Sequence, residues 1–220
     1  MREEFLQLKR SWFLPSNYVR DTYFCPAYHQ CADDGTGADR FCSAPMAKDE
    51  TRRIVAFQIP EGLHPDLNPL AWLVGTWRGK GHGEYPGSQP FQFAQEVTFS
   101  HDGRPFLTYF SRSWIIDDNN EIIQTSASET GFWRVKPNNQ LEVLLAHSTG
   151  ISEGWVGRFD GPKIQLAMDH SYASPTAKVI EEGQRLYGLV EGELFYAYDM
   201  AYGGNKLQAH IWSTLPRVIS

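Results

Sequence analysis

Residues 73–86 read Leu-Val-Gly-Thr-Trp-Arg-Gly-Lys-Gly-His-Gly-Glu-Tyr-Pro. Alternate residues of an extended strand share a face, so Gly75, Trp77, Gly79, Gly81 and Gly83 are predicted to lie on one side. A strand with such a bare face allows another backbone, or a flat ligand, to approach closely. A tryptophan on that face can close one end of a barrel. The stretch therefore predicts the first strand of a β-barrel.

After this stretch, short β-type runs alternate with turn signals as far as the C-terminus. Asp160-Gly161 and Gly203-Gly204-Asn205 are examples of turns in which glycine or asparagine supplies positive φ. The only helix candidate is one short turn around 64–73, which Asn68-Pro69 could start. Ten strands are predicted: Leu73–Glu84, Phe91–Ser100, Phe106–Trp114, Ile122–Arg134, Leu141–His147, Ile151–Phe159, Lys163–Met168, Thr176–Leu189, Leu194–Ala201 and Lys206–Leu215.

The absence of strand–helix alternation argues against an α/β fold. We predict an all-β fold, an up-and-down antiparallel barrel of about ten strands like those of lipocalins and fatty-acid-binding proteins. Closure of the sheet removes its edges and leaves an interior wide enough for one ligand. The high aromatic content of 14% suits such an interior.

The composition excludes several classes of partner. A net charge of -6 without a basic run argues against nucleic acid, whose phosphates need clustered Lys and Arg. No stretch reaches the ~18 apolar residues that a membrane-spanning helix needs. Charges throughout residues 1–20 are unlike a secretory signal, so we expect a cytoplasmic protein.

Residues 1–45 differ from the rest of the chain, because they are rich in polar turn formers and show no hydrophobic period. We expect a poorly ordered or misassigned extension there, and a barrel domain over residues 46–220. Cys25, His29, Cys31 and Cys42 could in principle form a zinc site. Their spacing lacks the C-x2-4-C pair through which zinc usually enters, so we do not expect one.

The string Gly75-x-Trp-x-Gly-x-Gly81, running on to Tyr85-Pro86, resembles the nitrobindin family of fatty-acid-binding-like haem proteins. The resemblance covers roughly residues 64–217. Five further segments carry it: Glu96-Val-Thr-Phe-Ser-His-Asp-Gly-Arg-Pro-Phe-Leu-Thr-Tyr109, Glu129-Thr-Gly-Phe132, Leu144-Leu-Ala-His-Ser-Thr-Gly150, Pro175-Thr-Ala-Lys178 and Leu207-Gln-Ala-His210.

The resemblance implies haem b in the barrel, isomerisation of peroxynitrite to nitrate by the ferric form, reversible nitric oxide binding, and a homodimer. It implies His210 as the axial ligand of the iron, and no catalytic residue beyond that iron. Lys178 resembles the family position near the haem edge, where an ammonium group can pair with a propionate. We also expect the haem to lie against the strand face of Gly75, Trp77, Gly79 and Gly81.

A neutral imidazole is a suitable axial ligand, and seven histidines are available. Strict alternation along the last strand places His210 with Gln208 and Trp212 on the more polar face, which argues against the assignment. His82, on the face opposite the glycines, is the second candidate, and His147 is the third.

Two other functions stay open. A carrier of fatty acids or similar apolar ligands would need a cation for the carboxylate, and Arg185 with Tyr187, or Arg112, could supply one. A haem-based sensor of nitric oxide or peroxynitrite would share the site but lack turnover. Motifs of hydrolases and phosphate loops are absent from the sequence.

The extension generates the first testable prediction. A chain that starts at Met46 is expected to fold and bind haem like the full chain, because residues 1–45 lie outside the resemblance. Urea unfolding of both chains measures this. A loss of more than ~1 kcal/mol on truncation would show that the extension packs on the barrel.

Overall fold

The computed structural model describes residues 58–85 and 89–219, and in these ranges the chain is almost entirely β-sheet. One 3-10 helix, Pro65–Leu73, precedes the strands. The strands are β1 (Gly75–Gly83), β2 (Phe91–Ser100), β3 (Leu107–Ile116), β4 (Ile122–Lys136), β5 (Gln140–His147), β6 (Ile151–Asp160), β7 (Lys163–Ala173), β8 (Ile180–Val190), β9 (Glu193–Tyr202) and β10 (Gln208–Leu215).

The ten strands form one closed barrel in which each pairs antiparallel with its neighbours in the chain, and β1 pairs with β10. The predicted barrel of about ten strands is confirmed. Its turns use the predicted chemistry, since Asn138, Gly161, Gly203 and Gly204 all have positive φ.

The helix differs from its prediction. His64 is its N-cap, accepting the Asp66 amide hydrogen at 3.3 Å, and Pro65 begins the helix. Pro69, which was predicted near the start, lies inside it. A proline at the first helical position leaves no amide unsatisfied, so Pro65 is the better start.

The helix closes one end of the barrel with an apolar plug. Leu67, Leu70 and Leu73 are fully buried, and the Trp77 indole donates to the Leu73 carbonyl at 2.8 Å. The Arg217 guanidinium lies 4.0 Å from the centre of the Trp77 ring and donates to two carbonyls of the helix end. This end is filled by protein.

The glycine face of β1 packs against protein atoms. A side chain at Gly79 would come within 2.4 Å of the Thr214 carbonyl oxygen of β10. At Gly81 it would come equally close to the Phe93 ring of β2. The bare face therefore accommodates the neighbouring strands where the sheet closes.

Irregular pairing is concentrated at the opposite end of the barrel. Register shifts interrupt β6 against β7 beside Gly154, β8 against β9 beside Ile180, and β9 against β10 beside Ala209. The register between β7 and β8 covers Lys163–Ala167 and does not extend over the rest of β7. Bulges of this kind redirect side chains and often lie beside functional sites.

Several predictions lie outside the described residues. These are the extension at residues 1–45, its boundary at Met46, and the residues Cys25, His29, Cys31 and Cys42. Within the described residues, no helix has the length and apolar character needed to cross a membrane.

Candidate functional site

His210 points into the barrel because of a bulge in β10. Ala209 pairs with Asp199 of β9, and Ile211 pairs with Tyr198, so His210 is the extra residue between them. The bulge reverses the alternation, and Ser213 and Leu215 then face inward together with His210. The sequence-based placement of His210 and Trp212 on one face is wrong for this reason. His210 is 6% exposed.

The His210 imidazole has one defined tautomer. Its Nδ1 lies 2.8 Å from the Glu84 carbonyl oxygen, and since a carbonyl can only accept, Nδ1 carries the hydrogen. Burial lowers the pKa of His210 to about 4, so the ring is neutral at pH 7. Nε2 keeps its lone pair, and within the described residues it has no hydrogen-bond partner.

A cavity of about 390 Å³ adjoins this imidazole, in the half of the barrel that contains the β5–β6 turn and the β7–β8 loop. Cofactor and ligand pockets commonly measure ~300–1,000 Å³. The Tyr85 ring lies 4.0 Å from the His210 ring and the Tyr198 ring 5.7 Å from it, between centroids. Lys178, in the β7–β8 loop, also lines the cavity, with Nζ 5.2 Å from the centre of the Tyr85 ring.

A ring of four ionisable side chains lines another part of the cavity wall. Arg185 donates to both carboxylate oxygens of Glu129, at 3.0 and 2.9 Å, and to Glu153 at 3.2 Å. His147 links the same two carboxylates, with Nδ1 3.4 Å from Glu129 and Nε2 3.0 Å from Glu153. We call Glu129, His147, Glu153 and Arg185 the ion ring.

Both carboxylates of the ion ring are ionised. Burial acts to raise the pKa of Glu129, but the Arg185 charge and the interaction with His147 outweigh it and lower this pKa to about 2. Burial opposes ionisation of Glu153 too, and the hydrogen bond to His147 together with the Arg185 charge lowers its pKa. Hydrogen bonds from Tyr109 to Glu129 and from Trp155 to Glu153, at 2.6 and 2.9 Å, satisfy further oxygens.

The structure brings together two of the residues predicted to bind the cofactor. His210 and Lys178 both line the cavity. Gly75, Trp77, Gly79 and Gly81 do not: a side chain at Gly75 would meet Arg217, and the other three belong to the packed faces described above. This geometry gives no support to haem contacts by those four residues.

The other candidate ligand and carboxylate-binding residues lie in different parts of the structure. His82 faces away from the interior and stacks on Trp212 at 5.8 Å, whereas His147 belongs to the ion ring. Arg112 is half exposed and paired with Glu96 on the outer surface, and Tyr187 is buried in the core.

Sequence reasoning missed Glu129, Glu153, Tyr85 and Tyr198 as residues of the site. Two signals were available. Glu153 falls between Ile151 and Trp155 at inward positions of a predicted strand, where an unpaired carboxylate would be costly. The Tyr198 position is likewise inward within an apolar strand.

A neutral imidazole that is held by a backbone carbonyl and directs its other nitrogen toward a cavity fits the axial ligand of a haem. The aromatic rings beside it suit the flat macrocycle, and an ammonium group at the loop suits a propionate. The described residues of the site therefore fit haem b.

The low pKa of His210 predicts a pH effect on the haem-free protein. The unfolded imidazole binds a proton below its ordinary pKa of 6.5, and the folded one only below about 4. Between these values the unfolded state binds more protons, so the free energy of unfolding falls as the pH falls, by about 3 kcal/mol in total. Urea unfolding between pH 7 and pH 4 measures this.

His210→Gln is the comparison for that experiment, because glutamine can still donate to Glu84 but does not titrate. We expect its stability to vary less with pH over this window by about the same amount. The Glu129 contribution is lost mainly at lower pH, between 4.5 and about 2, and because both proteins contain Glu129 it cancels in the comparison. Parallel pH profiles for the two proteins would contradict the burial of a neutral imidazole.

Comparisons with known proteins relate this chain to haem-binding β-barrel proteins. A family model described as the THAP4-like, heme-binding beta-barrel domain matches residues 66–217. A peroxynitrite isomerase from Nocardioides sp. is 50% identical over 161 residues, covering 73% of this chain and 98% of the relative. A ferric nitrobindin-like protein from Streptomyces griseus is 38% identical over 165 residues, covering 74% of this chain and 87% of the relative.

A solved structure adds to these relatives. The crystal structure of Rv2717c from M. tuberculosis has a TM-score of 0.65 and 36% sequence identity, covering 71% of this chain and 99% of that one. The predicted resemblance is confirmed by the family model, the relatives and the shared fold. This chain belongs to the nitrobindin family of haem-binding β-barrel proteins.

Proposed function

We propose that this protein is a haem-dependent peroxynitrite isomerase that converts peroxynitrite to nitrate. The observation that carries the proposal is the His210 imidazole, which is neutral, has its tautomer set by Glu84, and directs Nε2 toward the cavity. Relatives named peroxynitrite isomerase, at 50% and 42% identity, support the same reaction.

Ferric haem, when bound, would supply a Lewis-acidic iron for the conversion of peroxynitrite to nitrate. His210 would hold that iron through Nε2. The hydrogen bond to Glu84 keeps the proton on Nδ1 and holds the plane of the ring. Tyr85 and Tyr198 pack against that ring and limit its rotation.

Lys178 is proposed to pair with a haem propionate where the cavity meets the β7–β8 loop. Its ammonium lies between the Tyr85 and Tyr202 rings, 5.2 and 5.1 Å from their centres, so it is directed by two cation–π contacts. A cation at this point would also favour entry of an anion such as peroxynitrite into a protein of net charge -6.

The ion ring argues against a carrier of fatty acids. Arg185, the buried cation that was predicted to bind a fatty-acid carboxylate, is engaged by both oxygens of Glu129 and by Glu153. A fatty acid would have to displace a bidentate buried ion pair, which leaves a carboxylate unpaired. Arg112 lies on the outer surface. Neither arginine that was predicted to serve a carrier therefore supports that function.

Nitric oxide binding is proposed as a second property of the same iron site. Turnover separates the isomerase from a haem-based sensor, because a sensor binds its ligand without accelerating its decay. Stopped-flow decay of peroxynitrite with catalytic amounts of ferric protein decides between them.

Replacement of His210 tests the proposed function. His210→Ala is expected to lose the Soret band of the ferric protein, or to bind haem far more weakly, because no other described residue takes its place in the bulge. Peroxynitrite decay should return to the uncatalysed rate. Free imidazole should restore part of the spectrum, since the space left by the substitution has about the size of the missing ring.

His82→Ala is the matched control, because His82 lies outside the cavity and stacks on Trp212. It should keep both the spectrum and the activity. Normal haem binding by His210→Ala, combined with loss in His82→Ala, would overturn the assignment.

A homodimer is proposed for the assembled protein. An apolar patch lies on the outer face of β3 to β6, where Phe110, Phe132, Leu144 and Val156 are each between 45% and 48% exposed. Phe132 and Leu144 face each other directly across β4 and β5. Contiguous exposed apolar surface commonly marks an interface, and twofold pairs are the commonest closed assembly.

Light scattering at micromolar concentration is expected to give about twice the chain mass of 25.0 kDa. Leu144→Glu should shift the protein to monomer, because it places a charge in the centre of the apolar patch. Tyr172→Glu, at a residue 65% exposed elsewhere, should remain dimeric. A wild-type monomer at every concentration would contradict the proposed dimer.

A further inference from the structure

Two phenols flank the axial histidine, and neither is needed to hold the iron. The ring centres of Tyr85 and Tyr198 lie 4.0 and 5.7 Å from that of His210. Both side chains line the cavity. Their rings pack beside the imidazole, and their hydroxyl groups add a redox chemistry that phenylalanine would lack. The inference drawn from them rests on the proposed haem ligation by His210.

Tyr198 is connected to a built-in proton acceptor. Its hydroxyl lies 3.5 Å from Oε1 of Glu153, and the other oxygen of that carboxylate accepts from the Trp155 indole at 2.9 Å. The Trp155 ring in turn lies 5.8 Å from the Tyr198 ring, edge to face. One buried, ionised carboxylate therefore accepts hydrogen bonds from a phenol and an indole, two kinds of side chain that are readily oxidised by one electron.

Tyr85 provides a second phenol nearer to the surface. It is half-buried beside Lys178, whose ammonium lies between the Tyr85 and Tyr202 rings. Because Tyr85 is only half-buried, solvent is the acceptor assigned to its proton. The axial histidine thus has one phenol toward the interior, next to a carboxylate, and one toward the cavity mouth.

We propose that Tyr85 and Tyr198 are redox-active residues that reduce the haem site after its oxidation by a hydroperoxide and so protect the haem and His210. With hydrogen peroxide as oxidant, the O–O bond breaks and the peroxide takes up two electrons and two protons to give two waters. Each phenol gives one electron and one proton and becomes a phenoxyl radical. The Tyr198 proton passes first to Glu153, the Tyr85 proton passes to solvent, and the iron returns to its ferric state.

The test uses the full chain loaded with ferric haem and treated with hydrogen peroxide, so it does not depend on peroxynitrite isomerisation. Freeze-quench electron paramagnetic resonance is expected to show a tyrosyl signal that narrows when the protein contains ring-deuterated tyrosine. The Soret band reports destruction of the haem. Intact-protein and peptide mass spectra locate oxidised or cross-linked tyrosines.

Tyr85→Phe and Tyr198→Phe should each weaken the tyrosyl signal, and the double variant should lose most of it. The Soret band of the double variant should bleach several-fold faster than that of the wild type, with oxidation appearing on His210. Tyr172→Phe is the control, since Tyr172 is 65% exposed and does not line the cavity. Its signal and bleaching rate should match the wild type.

Glu153→Gln separates the two phenols, because it removes the acceptor of Tyr198 and leaves Tyr85 untouched. The signal remaining in that variant should be abolished by adding Tyr85→Phe. An unchanged signal and bleaching rate in the Tyr85→Phe, Tyr198→Phe double variant would overturn the inference while leaving the isomerase proposal intact. Failure of the wild type to form a Soret band before peroxide is added would overturn the haem ligation and this inference together.

Discussion

The contact between residues 84 and 210 is the interaction on which the site depends. The His210 imidazole donates to the Glu84 carbonyl, and the Glu84 amide donates to the His210 carbonyl, both at 2.8 Å. This reciprocal pair joins the end of β1 to the bulge in β10, at the seam where the barrel closes. It fixes the bulge, the tautomer and the direction of Nε2 together. A change at this seam is therefore expected to alter the closure of the barrel and the orientation of the His210 imidazole at once.

The interior of the barrel is divided between an apolar plug and a charged wall. Charges are tolerated inside because every member of the ion ring has a partner of opposite charge or a hydrogen bond. Removal of one member of such a buried cluster typically costs about 3–5 kcal/mol, because the remaining charges lose their compensation. The ring thereby holds β4, β5, β6 and β8 together around the cavity and engages Arg185, which was predicted to bind the carboxylate of a fatty acid.

Regular and irregular pairing are separated along the barrel axis. The closed end combines largely regular strand pairing with the 3-10 helix and its leucines, and this packing supports the fold. The cavity end contains the bulges and the short β7–β8 register. Each bulge gives up some regular hydrogen bonding in exchange for a redirected side chain. Because the closed end supplies the packing, the cavity end can be irregular.

Most of the fold follows from local sequence. The ten strand runs and their turns are visible because strand alternation and positive-φ turn residues are short-range signals. The start of the helix at Pro65 was less visible, since Asn68-Pro69 gives the same local signal. The glycine face of β1 was correctly predicted to allow close approach of another group. The sequence alone could not distinguish a neighbouring strand from a flat ligand. The structure places Phe93 and the β10 backbone there.

The sequence by itself determined the fold class, the family and the identity of His210 as the candidate ligand. Only the tertiary structure decided that His210 faces inward. The bulge in β10 adds one residue to the strand, so the in–out alternation of side chains before the bulge is out of step with the alternation after it. It also decided that Glu129, Glu153 and Arg185 meet, since these residues lie on strands far apart in the chain and converge only when the barrel closes. Local sequence patterns indicate where strands and turns form. Closure determines which side chains share an interior.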